Sequence, residues 1–284
     1  MTGDDMTNRP PPFAFERLGP LVPASPLVLS VPHAGRFYPP AIMADCAVPL
    51  ATLEELEDRH ADLLVTRAVA EGAVAIVARV ARAWIDLNRG EEDRDPAPGS
   101  GIPASARSRS GLGLIPRRIG RRELWCAAPS PASIDARLAT VHRPYHEAVA
   151  QALAEACRHH GHAVLIDCHS MPPLSGARAP RVVIGDRHGR MAAQGLAALL
   201  AQHVREAGFR AAINAPYAGA HGITRHGDPA RGIHAVQVEI DRTLYLRSDM
   251  RSVSHGLQET QALLASLGRR AVAATRPAFS IAAE

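Results

Sequence analysis

Val164-Leu-Ile-Asp-Cys-His-Ser170 is a short aliphatic run that stops on two titratable side chains, and the rest of the chain is read outward from it. Such a run, bounded by turn residues, reads as a buried strand. Residues 133–160 before it form a long helical stretch, with a kink expected near Pro144. Further strands are read at 181–185, 210–214 and 233–240, with helices at 191–207 and 250–267. Upstream, Pro26-Leu-Val-Leu-Ser-Val31 is a strand that ends in the turn Pro32-His-Ala-Gly35. Thr52-Leu-Glu-Glu55 has capping-box spacing and opens a helix that Gly72 ends. Residues 74–80 read as a strand, and 83–89 as a second strand and its exit. This alternation predicts a single-domain, three-layer α/β/α fold with a central mixed sheet. The domain is expected over 26–270, flanked by tails at 1–25 and 271–284. Residues 90–130, rich in Pro, Gly, Ser and Arg, form a long loop of the kind that is functional or disordered.

Composition narrows the function. The chain has 284 residues, is 46% hydrophobic and carries a net charge of +4. It has no lysine, so Schiff-base chemistry and the lysine-dependent phosphate loop are excluded. Aromatic residues make up only 4% and interleave with no arginine stripe, which argues against nucleic acid. Cys46, Cys126, Cys157 and Cys168 lack CxxC spacing and read as reduced thiols. The N-terminus is acidic and proline-rich rather than basic then apolar, so no secretory signal is expected. No run reaches the ~20 apolar residues of a membrane span. A cytoplasmic protein without a membrane partner is expected.

Ligand sites in open α/β sheets form where strands end. His33, Asn88, Arg89, Asp167, His169 and Glu239 all lie at or near such ends. Any one alone is unremarkable; together, two histidines and a carboxylate can supply three metal ligands and leave a position for water. The segment Glu55-Leu-Glu-Asp-Arg-His-Ala-Asp62 offers Asp58, His60 and Asp62 as well, or else a solvated charged face. No HExxH is present.

Eight motifs run in order along the chain. They are Ser30-Val-Pro-His-Ala-Gly35, Asp58-Arg-His-Ala-Asp62, Asp86-Leu-Asn-Arg89, His142-Arg-Pro-Tyr-His146, Asp167-Cys-His-Ser170, Gly185-Asp-Arg-His188, Gly222-Ile-Thr-Arg-His226 and Val236-Gln-Val-Glu239. With them the sequence resembles the N-formylglutamate amidohydrolase family, related to zinc carboxypeptidases and to the aspartoacylase and succinylglutamate desuccinylase group. The resemblance implies a zinc-carboxypeptidase-like (phosphorylase/hydrolase-like) fold. It also implies Zn2+, or another divalent transition metal, held by His33, His169 and a third ligand. Position 36 is Arg, where the carboxypeptidase pattern has Glu, so that ligand comes from elsewhere, with Asp58 the best match and His60 its rival.

Other roles follow from the same resemblance. Glu239 is the expected general base, with a pKa raised by its apolar strand. Arg89 is expected to polarise the scissile carbonyl and Asn88 to contact the substrate. Arg225, with Arg82 in reserve, is the expected clamp for a substrate carboxylate. Asp167 is a natural partner for the His169 ring, with His60 and Asp62 as further supporting residues. The basic loop with Arg117 and Arg118 is either a cover for an anionic ligand or a surface excursion. The implied reaction is hydrolysis of a small anionic N-acyl amino acid, first of all N-formyl-L-glutamate to formate and L-glutamate, a step of histidine degradation. Hydrolysis of another N-acyl amino acid or small peptide is the neighbouring reading. A non-catalytic binder of an acidic metabolite is the more distant one.

Overall fold

The structure, a computed structural model, describes residues 13–96 and 103–276. In chain order the first half comprises β1 (Phe15–Leu18), β2 (Leu27–Val31), α1 (Pro40–Asp45), α2 (Leu50–Leu53), α3 (Ala61–Leu64), α4 (Thr66–Ala70) and β3 (Val74–Ala78). Then follow α5 (Ala106–Arg109), the small ribbon β4 (Arg118–Ile119) and β5 (Arg122–Glu123), α6 (Pro131–Arg137) and α7 (Arg143–His160). The second half is β6 (Ala163–Met171), β7 (Val182–Gly185), α8 (Leu196–Glu206), β8 (Ala211–Ile213), α9 (His221–His226), β9 (Ile233–Asp241) and α10 (Leu257–Thr275).

One seven-stranded sheet organises the domain, in the order β1-β3-β2-β6-β9-β7-β8. The centre is parallel, while β1 runs antiparallel to β3 and β7 antiparallel to β9, so the sheet is mixed. Central strands β2, β3, β6 and β7 are buried at every residue, which is why they read as continuous aliphatic runs. Alternate side chains go to opposite faces. Leu29, Ile166 and Val238 meet α8 and α10 through Leu200, Val204, Leu263 and Leu264. Val28, Leu165 and Ala235 meet α7 through Tyr145, Val149 and Leu153. The result is three layers, α/β/α. Among the described residues no helix is long and apolar enough to cross a membrane.

Several local expectations give way to tertiary contacts. Residues 15–18, inside the stretch expected as a lead-in tail, pair along β3 as an edge strand. The helix expected from Thr52 to Gly72 is broken: Thr52 lies inside α2, Glu57 is extended and His60 is left-handed (φ 61°). The break lets the Asp58 amide reach the His33 carbonyl at 2.9 Å, a bond that an unbroken helix would forbid. Residues 83–89 form tight turns rather than a strand. Asp86 Oδ1 accepts from the Asn88 amide at 2.8 Å, so this side chain takes a donor that a strand ladder would need. A π-helical turn (Leu138–His142) replaces the expected kink and leads into α7, which carries Pro144 in its first turn. The last helix starts at Leu257 instead of 250 and runs to Thr275, past the expected domain end at 270.

Candidate active site

Strand parity builds the floor of the site. On the α7 side of the sheet, Val28, Leu165 and Ala235 are apolar. Two residues further along the same strands come Ser30, Asp167 and Gln237, and two further still His169 and Glu239. Register places Ser30 beside Asp167, Asp167 beside Gln237, and His169 beside Glu239. All five side chains therefore emerge on one face, at the carboxyl ends of the strands. His33 comes from the turn after β2. There the chain packs so closely on the Val80 carbonyl that a Cβ on Gly35 would lie 2.0 Å from its oxygen, which only glycine permits.

The two histidines are arranged alike. His33 Nε2 is 2.7 Å from Asp86 Oδ1, and His169 Nε2 is 3.1 Å from Asp167 Oδ2. Their other ring nitrogens converge on one carboxylate oxygen: Asp58 Oδ2 lies 2.9 Å from His169 Nδ1 and 3.4 Å from His33 Nδ1. All three candidate ligand atoms fall within 4.8 Å of one another. Asp58 Oδ1 accepts from Arg242 Nη2 at 3.2 Å, and Arg82 Nε donates to Asp86 Oδ2 at 2.8 Å. Asn88 stands between the strands, its amide 3.0 Å from His169 Nε2 and its Oδ1 accepting from the Gly222 amide at 2.8 Å.

This donor set suits a divalent cation. His33 Nδ1 is buried and has no hydrogen-bonding partner, so it is a lone pair in want of one. Both histidines give their second nitrogen to a carboxylate, the pattern that orients imidazole ligands on metals. Four carboxylates (Asp58, Asp86, Asp167 and Glu239) are buried here. Burial opposes ionisation of Asp58, yet the hydrogen bond from His169 and the closeness of the His33 ring overrule it and hold its carboxyl well below the usual range. Burial likewise resists charge on His169, but Asp167 and Asp58 keep its ring protonated well above the ordinary histidine range. Mixed imidazole and carboxylate donors fit zinc, with cobalt, nickel or manganese as further candidates.

Glu239 has the opposite surroundings. Burial, partly offset by His169, pushes its carboxyl up to about 7. Gln237 Nε2 donates to its Oε1 at 2.7 Å and leaves the other oxygen unclaimed among the described residues. A carboxyl poised near neutral pH beside a candidate cation site can take and return a proton.

The site opens into a cavity of about 890 Å³. Its wall includes His33, Asp58, Arg89, His169 and Glu239. Arg89 is braced by the carbonyls of Leu112 (2.8 Å) and Asn88 (2.7 Å). The stretch read as a long loop contributes Arg107, Leu112 and Arg118 to the wall, whereas Arg117 turns away to pair with Asp95. Residues 97–102 of that loop lie outside the described residues.

Other expected residues fall elsewhere. Arg225 is exposed on α9 and absent from the cavity wall, because that helix turns Ile223 and His226 inward and Thr224 and Arg225 outward. His60 spends its ring on Arg36 and on the Arg251 carbonyl, and Asp62 pairs with Arg36 and Arg79, so neither touches the two converging histidines or Asp58. Arg82 lines the cavity, but its Nε is committed to Asp86. Asp86, Gln237 and Arg242 were not singled out from sequence. Strand parity from Glu239 would have found Gln237; nothing local marks Arg242.

Comparisons with known proteins give the family. The family model for N-formylglutamate amidohydrolase matches residues 25–246. N-formylglutamate deformylases of Pseudomonas aeruginosa and Pseudomonas putida are each 31% identical over 230 residues, spanning 78% of this chain and 82% of the relative. A crystal structure of N-formylglutamate amidohydrolase from Ralstonia eutropha JMP134 superposes with a TM-score of 0.83 at 30% identity, covering 93% of this chain and 98% of that one. The matched segment contains the whole site from His33 to Glu239, and the chain belongs to the N-formylglutamate amidohydrolase family.

Proposed function

We propose that this chain is a metal-dependent amidohydrolase that cleaves N-formyl-L-glutamate to formate and L-glutamate, a late step of histidine breakdown. The observation that carries the reading is the convergence of His33 Nδ1, His169 Nδ1 and Asp58 Oδ2 beside a carboxyl raised to about 7. His33, Asp58 and His169 would hold the cation, zinc first. A divalent cation bound there supplies Lewis acidity, which acidifies water and polarises a carbonyl oxygen.

The chain's own residues carry the proton and the charge. Glu239, ionised above its pKa, removes a proton from the attacking water and delivers it to the leaving nitrogen. Asp86 and Asp167 fix the histidine rings by accepting from their Nε2 atoms. Arg89, braced through Nε and Nη1, presents the rest of its guanidinium to the cavity and stabilises the oxyanion. Arg107 and Arg187 also line the wall, with neither in an ion pair among the described residues. They suit the two carboxylates of a glutamate derivative.

Elemental analysis of the purified protein, run with a formate-release assay, tests the reading. Zinc or a related metal should accompany turnover of N-formyl-L-glutamate in preference to N-acetyl, N-succinyl and dipeptide analogues. Preference for one of those analogues reassigns the substrate. Absence of both metal uptake and hydrolysis, with an acidic ligand still bound, leaves only a binding protein.

A further inference from the structure

A second group of histidines lies behind the turn that carries Asp86 and Asn88. His142 precedes α7, His146 lies in its first turns, and His221 opens α9. Their ligand-capable ring atoms all lie within 4.8 Å of one another. Ring centroids are separated by 4.5 Å (His142–His146), 5.0 Å (His146–His221) and 5.8 Å (His142–His221).

Backbone carbonyls fix two of the tautomers, since a carbonyl can only accept. His142 Nε2 donates to the Arg89 carbonyl at 2.8 Å, which leaves a lone pair on Nδ1. His142 is fully buried, and that Nδ1 has no partner. His146 Nε2 donates to the Leu87 carbonyl at 2.9 Å, so its Nδ1 accepts from His226 Nε2 at 2.9 Å. His221 Nε2 is also buried without a partner. Two unanswered ring nitrogens in one histidine cluster carry the desolvation cost of unmade bonds. The mechanism uses neither.

We propose that His142, His146 and His221 form a second metal site, one built wholly of imidazole, for a divalent transition ion such as Zn2+. Imidazole donors without carboxylates favour zinc, copper, nickel or cobalt over magnesium or calcium. Entry of the ion exchanges the His226–His146 hydrogen bond for a metal bond and brings the fourth ring within reach of the cluster. Burial lowers the pKa of His142, His146 and His221, helped by Arg225 at His142 and by the neighbouring rings at His146 and His221, so the rings are neutral and ready to ligate. The site is structural: through the Arg89 and Leu87 carbonyls it braces the turn that presents Asp86 and Asn88 to the first centre.

Equilibrium dialysis of the full chain against Zn2+, followed by elemental analysis, tests this independently of the proposed reaction. Wild type should take up two equivalents, and His169→Asn and His221→Asn one each. His221 is only half-buried, so its replacement leaves the core intact, and His142→Asn serves as the second variant. Co2+ bound to His169→Asn should give the visible absorption of a nitrogen-ligated ion, and His221→Asn in that background should abolish it. One equivalent in wild type, lost entirely in His169→Asn, overturns the second site. So does undiminished uptake in both His221→Asn and His142→Asn. A single equivalent that survives His169→Asn but not His221→Asn instead overturns the first centre and leaves this one standing.

Discussion

Two clusters of histidine flank the same short turn, residues 86–89, and differ in what holds their rings. Around His33 and His169 the outer nitrogens meet the carboxylates of Asp86 and Asp167. Around His142 and His146 they meet the carbonyls of Arg89 and Leu87. The electrostatic outcome is opposite. Charge from Asp167 holds His169 protonated far above its usual range, whereas burial and neighbouring rings drive His146 far below it. The same residue type is thus made a strongly basic ligand on one side and a neutral, weakly basic one on the other. A carboxylate behind the ring suits the cation and exchanging reactants proposed for the first centre; a carbonyl suits the bracing role proposed for the second.

The sharpest way to break this contrast is His169→Asn. Formate release should fall below detection and one metal equivalent should vanish, both measured on one preparation; retained metal at full stoichiometry would dissolve the distinction between the clusters. Glu239→Gln should come next, with kcat reduced about 10²–10⁴-fold. Metal content should stay unchanged there, because Glu239 is outside the set that converges. Replacing the carboxylate behind a ring, by Asp167→Asn or Asp86→Asn, should weaken metal affinity about 10–100-fold, read by competition with a chromophoric chelator. If affinity is untouched, the carboxylate backing does no more than the carbonyl backing.

Acidity gives a subtler test. With Glu239 raised to about 7, its ionised form and the rate grow as pH rises through that value. Below it, kcat/KM should fall tenfold per pH unit, and Glu239→Gln should abolish this limb. A bound cation favours the carboxylate, so the metal-loaded enzyme should show the limb at lower pH than direct titration of the metal-free protein does. The stability sign is the reverse: between about 4.5 and 7 the folded chain holds a proton that the unfolded chain releases. Stability contributed by this group is complete below that window and lost as pH rises through it. Smallest of all is the effect of His221→Asn on turnover at saturating metal, a fall of about tenfold as the turn it braces loosens.

Much of this was legible in the sequence because one rule carried it. Aliphatic runs at 26–31, 74–80 and 164–166 identify buried strands, and the motifs shared with the resembled family mark His33, His169 and Glu239 at or near strand ends. What stayed hidden depends on contacts between distant segments. Asp86 looked like part of a strand until its side chain was seen taking the Asn88 amide. The apparent helix from Thr52 breaks because Asp58 is drawn to the His33 carbonyl, a bond across 25 residues that no local pattern encodes. Arg225 and His226 are neighbours in sequence, and only the seating of α9 decides that the arginine faces solvent. Arg242 reaches Asp58 from the exit of β9, again a matter of assembly.

The pairing of β6 with β9 ties catalysis to folding fidelity. Sliding β9 by a single position would set Val238 opposite His169 and send Glu239 into the apolar layer beneath α8 and α10. A mispaired chain could therefore neither seal its interior nor bring Glu239 beside His169, so one register serves both the core and the candidate site.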